Sequence, residues 1–306
     1  MNYRDLINTG TKQLIDAGID EKTAKQDSEL LFLFSFHLSK AELVKNYKTE
    51  VNSLNNNLNI DIYKRNIKER ANGKPLSYIT HSVIFFNYDF FVNESTLIPR
   101  VDSEVIVEQA INFIKNCKEI NQKIKDGLNI KILDACCGSG CLGLSLTKYV
   151  LDKKFFPAEK IELTLLDISS TAMQVAKINI QKVIKNDVIV KCLISDVLIN
   201  GFGNEKYDII LCNPPYIKQL EIENLENSVK NFEPRLALDG GLDGLKFYKS
   251  ISLILHKNLF KHSVAIFEIG FDQSVSCSKI FNNANFCVQV KKDYGNQDRC
   301  LICRLK

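Results

Sequence analysis

The sequence predicts a doubly wound, mostly parallel α/β sheet of seven strands, preceded by a small helical domain. Three observations predict it. From about residue 101, apolar β-branched runs alternate with helical stretches, the pattern of repeated β-α units. The first 75 residues instead carry apolar side chains at helical spacing. The chain is 306 residues long, which suits about two domains at ~150 residues each.

The helical segment, 1–75, begins with Leu6, Leu14, Ile15 and Ile19 at helical intervals. A second helix is expected from near Asp20, carrying Leu30, Leu31 and Phe34. Asn55-Asn56-Asn57 reads as a polar loop, and a further helix from about Ile60 to Ala71 stops at Asn72-Gly73-Lys74-Pro75. Segment 76–100 changes character. Val83-Ile84-Phe85-Phe86 and Phe90-Phe91-Val92 flank Asn87-Tyr88-Asp89, a hairpin pattern that reads as a linker. Residues 101–306 then form the main domain. Its strands are expected at 129–135, 161–167, 188–194, 207–212, 263–269, 286–290 and 299–304, with a hairpin at the end.

Composition narrows the function classes. With 45% hydrophobic and 25% charged residues, the chain is neither largely disordered nor collagen-like. No apolar run reaches the ~18 residues of a membrane helix; the best, Leu30 to Phe36, ends at His37. Met1-Asn2-Tyr3-Arg4-Asp5 has no secretory pattern. The ten cysteines then read as free thiols in a cytoplasmic protein. A net charge of +4 does not call for wholesale neutralisation of phosphates. Cys300-Leu301-Ile302-Cys303 lacks a second pair at zinc spacing, and on a strand its two thiols face opposite ways. The four histidines are scattered, so no metal site is expected.

The chemistry gathers at strand ends. Asp134-Ala135-Cys136-Cys137-Gly138-Ser139-Gly140 joins the first strand of the main domain to a helix. Ligands of open α/β sheets bind beyond the carboxyl ends of the strands, where glycines let the backbone approach and helix N-termini offer free N–H groups. The plainer alternative is a tight strand-helix connection. Asp167, followed by Ile168, ends the second strand, and Asp196, followed by Val197, ends the third. Such acids can hold ribose hydroxyls and an adenine amino group, or simply cap the next helix.

The fourth strand ends in Asn213-Pro214-Pro215-Tyr216. Two prolines fix the backbone and remove two donors. The Asn213 side-chain carbonyl and a rigid backbone carbonyl form a pair of acceptors, which suits an NH2 group. Tyr216 adds a flat face. Holding both N–H bonds of a conjugated nitrogen directs its lone pair at an incoming methyl group. The plainer alternative is a rigid turn.

This tetrapeptide resembles the amino-methylating branch of the S-adenosylmethionine-dependent methyltransferases, whose substrates include DNA adenine, RNA guanine and protein glutamine. Further stretches resemble the release factor glutamine methyltransferases: Arg70 to Ile79, Leu97 to Glu104, Glu233 to Leu245, Glu268-Ile269-Gly270 and Asp293 to Arg299. The resemblance implies a Rossmann-like methyltransferase domain that takes a methyl group from S-adenosyl-L-methionine. The acceptor would be the glutamine amide of the Gly-Gly-Gln motif of peptide-chain release factors, and the product N5-methylglutamine. Neither a membrane nor direct nucleic-acid binding is required.

Asp134, Cys136, Cys137, Gly138, Ser139, Gly140, Asp167, Ile168, Asp196, Val197 and Asn213 are the expected cofactor residues. Asn213, Pro214 and Tyr216 are the expected catalytic residues, and Pro215 and Arg100 join them on the substrate side. Arg100 has a rival reading, as an ion pair that fixes the domains. Cys136 departs from the family, which has glycine there. The alternative function is a DNA or RNA amino-methyltransferase with the same tetrapeptide. It predicts a basic, aromatic-interleaved recognition segment, which 1–75 lacks.

Overall fold

A computed structural model describes residues 2–50, 53–185 and 188–306. It divides into two compact units: Met1–His81 with Asn227–Phe232, and Ser82–Glu226 with Glu233–Lys306.

In the first unit, α1 (Tyr3–Asp16), α2 (Glu21–Phe36), α3 (Lys40–Asn46), α4 (Ser53–Ala71) and α5 (Leu76–Thr80) follow in order. Capping sets the starts. Asn2 and Asp5 form a reciprocal capping box on α1, Asp20 caps α2, and Ser39 with Glu42 repeats the box on α3. Leu6, Leu14, Leu31, Phe32, Tyr63 and Ile67 make the core. A Cβ on Gly10 would lie 2.1 Å from the Tyr63 hydroxyl. That close approach lets Tyr63 reach Ser28, 2.7 Å away. Asn55-Asn56-Asn57 lies within α4 rather than in a loop: the helix continues around low-propensity residues. Leu30 and Phe34 are exposed, because the buried face of α2 runs through Asp27, Ser28, Leu31, Phe32 and Ser35. Arg70 donates to Asp27 at 2.7 Å and to the Lys74 carbonyl at 3.3 Å, fixing the end of α4.

The second unit opens with the hairpin, β1 (Val83–Phe85) paired antiparallel to β2 (Tyr88–Phe90). Its Phe85 and Phe90 are buried in this unit's core. The hairpin is therefore part of the larger unit and not a free linker, because its aromatic face needs burial. Likewise α11 (Asn227–Lys230), expected within the main domain, belongs to the first unit.

After α6 (Glu104–Asn116) and α7 (Lys118–Lys125) comes β3 (Ile130–Ala135), then α8 (Cys141–Asp152), β4 (Ile161–Asp167), α9 (Ser170–Asn179), β5 (Ile189–Ile194), α10 (Val197–Asn200) and β6 (Tyr207–Cys212). The chain ends with α12 (Lys246–Ile254), β7 (Leu259–Glu268), α13 (Ser274–Asn283), β8 (Phe286–Lys292) and β9 (Asp298–Leu305). The seven strands run in the order β5-β4-β3-β6-β7-β9-β8, parallel from β5 to β7, with β9 antiparallel to both its neighbours. This is the doubly wound, mostly parallel sheet the sequence predicts, with its terminal hairpin.

Both faces are buried, so the central strands send apolar side chains to both sides. Ile130, Ile132, Leu163, Leu165, Ile209 and Leu211 join the core on one face. Leu133, Ala135, Leu166, Ile210 and Cys212 join the core on the other. The same alternation sends Cys300 to the first core and Cys303 to the second. No helix among the described residues is long and apolar enough to cross a membrane.

One energetic cost sits at the end of β3. Asp134 is fully buried, and its Oδ2 accepts from the Gly143 amide at 2.8 Å, tying the strand to α8. Its Oδ1 has no partner among the described residues. Burial pushes this carboxyl up to about 8, with nearby Asp167 adding to the rise. An unfolded aspartate titrates near ~3.9. A group raised on folding lends stability below its unfolded value and loses it as pH rises through the folded value. Asp134 thus disfavours the folded state progressively between about pH 4 and 8. Asp134→Asn keeps an acceptor for Gly143 but cannot ionise. In urea unfolding at a series of pH values, the stability difference between variant and parent should move in the variant's favour across this window, by on the order of 5 kcal/mol for a carboxyl carried from ~3.9 to about 8. A difference that stays constant from pH 4 to 8 would contradict the assignment.

Candidate active site

The strand order reverses between β3 and β6, which are direct neighbours. A crevice opens beyond the carboxyl ends of strands at such a switch point. Register places Ala135 beside Cys212, so the glycine turn and Asn213 emerge side by side. Between them lies a cavity of about 630 Å³, within the range of small-molecule sites.

The turn is built from unusual backbone. Cys136, Gly138 and Gly140 all have positive φ, at 55°, 51° and 78°. For a cysteine that conformation costs ~1–2 kcal/mol, so the position demands more than a small side chain. The surrounding bonds hold it. The Cys137 amide donates to the Leu166 carbonyl at 3.1 Å, and the Gly140 amide to the Cys137 carbonyl at 2.7 Å. The Gly138 amide donates to Asp167 Oδ2 at 2.8 Å. Gly140 then caps α8.

Asn179, at the end of α9, completes the support. Its Nδ2 donates to the Ser139 and Phe91 carbonyls, each at 2.9 Å, and its Oδ1 accepts from the Phe91 amide at 2.7 Å. No sequence reading singled out Asn179. Its partners lie 88 and 40 residues away, and nothing local marks them.

Of the expected cofactor residues, Cys136, Cys137, Gly138, Ser139, Asp167, Ile168, Asp196, Val197 and Asn213 line the cavity. Asp134 and Gly140 do not; Asp134 sits beneath the turn, fully buried. Of the two strand-end acids, Asp196 is a helix cap, whereas Ser169 and not Asp167 caps α9. Asp167 Oδ1 accepts from the Ser169 amide at 2.9 Å, and Asp196 Oδ1 accepts from the Leu198 amide at 2.8 Å as the cap of α10. Both also face the cavity. Carboxylate oxygens carry two lone pairs each, so these bonds leave acceptors for a ligand. Burial raises the Asp167 carboxyl, while the Ser169 and Gly138 amides favour its ionised form.

On the other wall, Arg100 lines the cavity and pairs with the buried Glu233. Glu233 Oε2 also accepts from the Ile98 amide at 3.1 Å. Burial raises the Glu233 carboxyl and the Arg100 guanidinium opposes the rise. Both members of this pair lie in the larger unit. Asn213 and Pro215 line the cavity, whereas Pro214 and Tyr216 do not. The Tyr216 hydroxyl instead donates to Glu268 Oε1 at 3.0 Å. Its ring is thus turned onto the end of β7.

The residues present fit an adenosyl group bearing a cationic centre. Two carboxylates at the second and third strand ends can accept hydroxyl and amino protons. Ile168 and Val197 supply apolar walls, and Cys136, Cys137, Gly138 and Ser139 of the turn line the cavity with them. Residues 117–242, which span all of these features, match the family described as Methyltransferase small domain. S-adenosyl-L-methionine is the cofactor of such a site, and the chain is a methyltransferase. Residues 5–80 match the family described as PrmC N-terminal domain.

The hMettl16 catalytic domain, solved with the MAT2A 3'UTR hairpin 6, has a TM-score of 0.51 to this chain at 15% identity, over 81% of this chain and 82% of that one. That likeness concerns the fold alone. The release factor glutamine methyltransferase of Fusobacterium nucleatum is 32% identical over 98% of this chain and 78% of its own length. That of Clostridium acetobutylicum is 35% identical over 90% of both chains. On that likeness along its length, the chain belongs to the release factor glutamine methyltransferase family.

Proposed function

We propose that the chain methylates the side-chain amide nitrogen of the glutamine in the Gly-Gly-Gln motif of peptide-chain release factors, in the cytoplasm, giving N5-methylglutamine. The observation that carries this reading is the placement of Asn213. It lines the cavity at the end of β6, directly beside the turn that closes the cofactor half. Bound S-adenosyl-L-methionine supplies an electrophilic methyl group on a sulfonium.

The protein's part is positional. An amide nitrogen is a poor nucleophile because its lone pair is delocalised. The Asn213 side-chain carbonyl and the Pro214 backbone carbonyl accept its two protons, and this favours a tetrahedral nitrogen with its lone pair free. Pro214 and Pro215 contribute no N–H to compete for these acceptors. In-line placement can supply ~7–11 kcal/mol of the barrier. No strong base is required before attack. The nitrogen becomes acidic as its bond to carbon forms, and one proton leaves to water as the carbon–sulfur bond breaks. Asp167 grips the ribose hydroxyls, Asp196 takes the adenine amino group, and Ile168 and Val197 flank the ring. Arg100, on the substrate side, is held in place by Glu233. The helical unit docks the release factor, a role that the match of residues 5–80 to the family described as PrmC N-terminal domain supports.

Two variants separate the halves of the site. Hydrogen bonds to a charged group are worth ~1.5–3 kcal/mol, so Asp167→Ala should weaken donor binding at least about tenfold by calorimetry. Unchanged affinity would refute the ribose assignment. Asn213→Ala removes one acceptor at the reacting centre. Its turnover on a release factor should fall ~10²–10³-fold, with donor affinity changed far less. A normal rate would leave Asn213-Pro214-Pro215-Tyr216 as a turn and nothing more.

A further inference from the structure

Behind the Asn213 turn lies a buried polar cluster whose Tyr216, Glu268, Gln273 and Arg299 do not line the cavity. Glu268, the last residue of β7, is 2% exposed. Its Oε1 accepts the Tyr216 hydroxyl at 3.0 Å, and its Oε2 has no hydrogen-bond partner among the described residues. Burial raises the Glu268 carboxyl, and the hydroxyls of the buried Ser103 and of Tyr216, with the guanidinium of Arg299, oppose the rise. Arg299 is itself bonded to Asp293 at 3.1 Å.

Tyr216 is gripped at its other end too. Its carbonyl accepts from Gln273 Nε2 at 2.9 Å, and Gln273 Oε1 accepts from the Gly270 amide at 2.9 Å. The next residue exchanges backbone bonds with the segment beyond Pro234: Ile217 donates to Leu238 at 3.0 Å and accepts from Gly240 at 2.8 Å. A Cβ on Gly240 would lie 2.7 Å from the Tyr216 Cα, so the packing there leaves no slack.

A buried carboxylate is a poor way to stabilise a fold, since its desolvation can outweigh what it gains. What it offers is a strong, directional bond. Here that bond falls on the residue that ends the Asn-Pro-Pro-Tyr turn, two positions after the Pro214 carbonyl. We propose that Glu268 is a positioning residue: through the Tyr216 hydroxyl it fixes the turn, and so holds the Asn213 and Pro214 acceptors where the glutamine amide must sit. The proposal rests on the amide-clamp reading above.

The test compares Tyr216→Phe, Glu268→Gln, their double variant and Asn213→Ala with the parent protein. Each is assayed for kcat and KM on a release factor, for donor affinity by calorimetry and for melting temperature. A small misplacement at a reacting centre costs on the order of 10²-fold. Tyr216→Phe and Glu268→Gln should each lower kcat by about 10- to 100-fold, with KM and donor affinity within about threefold of the parent. Because both act through one bond, the double variant should be no slower than the slower single. Tyr216→Phe is close to isosteric and carries the comparison should Glu268→Gln fail to fold. Single variants with parental kcat overturn the proposal, and so do losses that multiply in the double. A loss that follows melting temperature at unchanged kcat marks Glu268 as merely structural, which also overturns it. Asn213→Ala separates the two ideas. If it is as active as the parent, the amide clamp itself is wrong. If it is slow while the other variants are normal, only the positioning role fails.

Discussion

Carboxylates at the ends of parallel strands, turned inward onto backbone amides and a phenol, hold this site together. Asp134 ends its strand on the amide of Gly143 and Asp167 on those of Gly138 and Ser169. Glu268 closes β7 on the Tyr216 hydroxyl. A strand end leaves backbone groups without ladder partners, and a loop with positive φ at three of five positions has little intrinsic stability. Acceptors fixed on the rigid sheet provide both anchorage and shape. The site's geometry follows from the sheet because its walls are bonded to strand termini.

That arrangement carries a tension. Burial raises each of these three carboxyls, so each costs folding energy as it ionises. Stability is given up around the cavity, a pattern common at functional sites. Cys136 adds to it, occupying left-handed backbone that a glycine would take without strain.

The parts legible in the sequence were those with local signatures. β-α alternation, the glycine turn, the strand-end acids and Asn-Pro-Pro-Tyr each occupy a few adjacent residues, and the fold makes neighbours of them by register. The unread parts depend on distance along the chain. Asn179 serves Phe91 from 88 residues away, Glu233 holds Arg100 across 133, and Glu268 reaches back 52 to Tyr216. Glu268 and Glu233 lie in stretches that resemble the family, yet resemblance alone does not say what each side chain touches. The hairpin misled for a related reason. Its pattern gives a hairpin correctly, but only packing shows that Phe85 and Phe90 belong to the larger core. Asn55-Asn56-Asn57 misled by composition, since a helix can carry asparagines when its remaining turns are well packed.

The account's central claim is that the acceptor clamp serves a protein amide. The purified protein, given S-adenosyl-L-methionine, would be offered a release factor, duplex DNA and RNA in parallel, with methyl groups located by peptide mass mapping and nucleoside analysis. The account predicts a single methyl on the side-chain nitrogen of the Gly-Gly-Gln glutamine and none on either nucleic acid. Methyl groups on a base amino group, with that glutamine left unmodified, would contradict it.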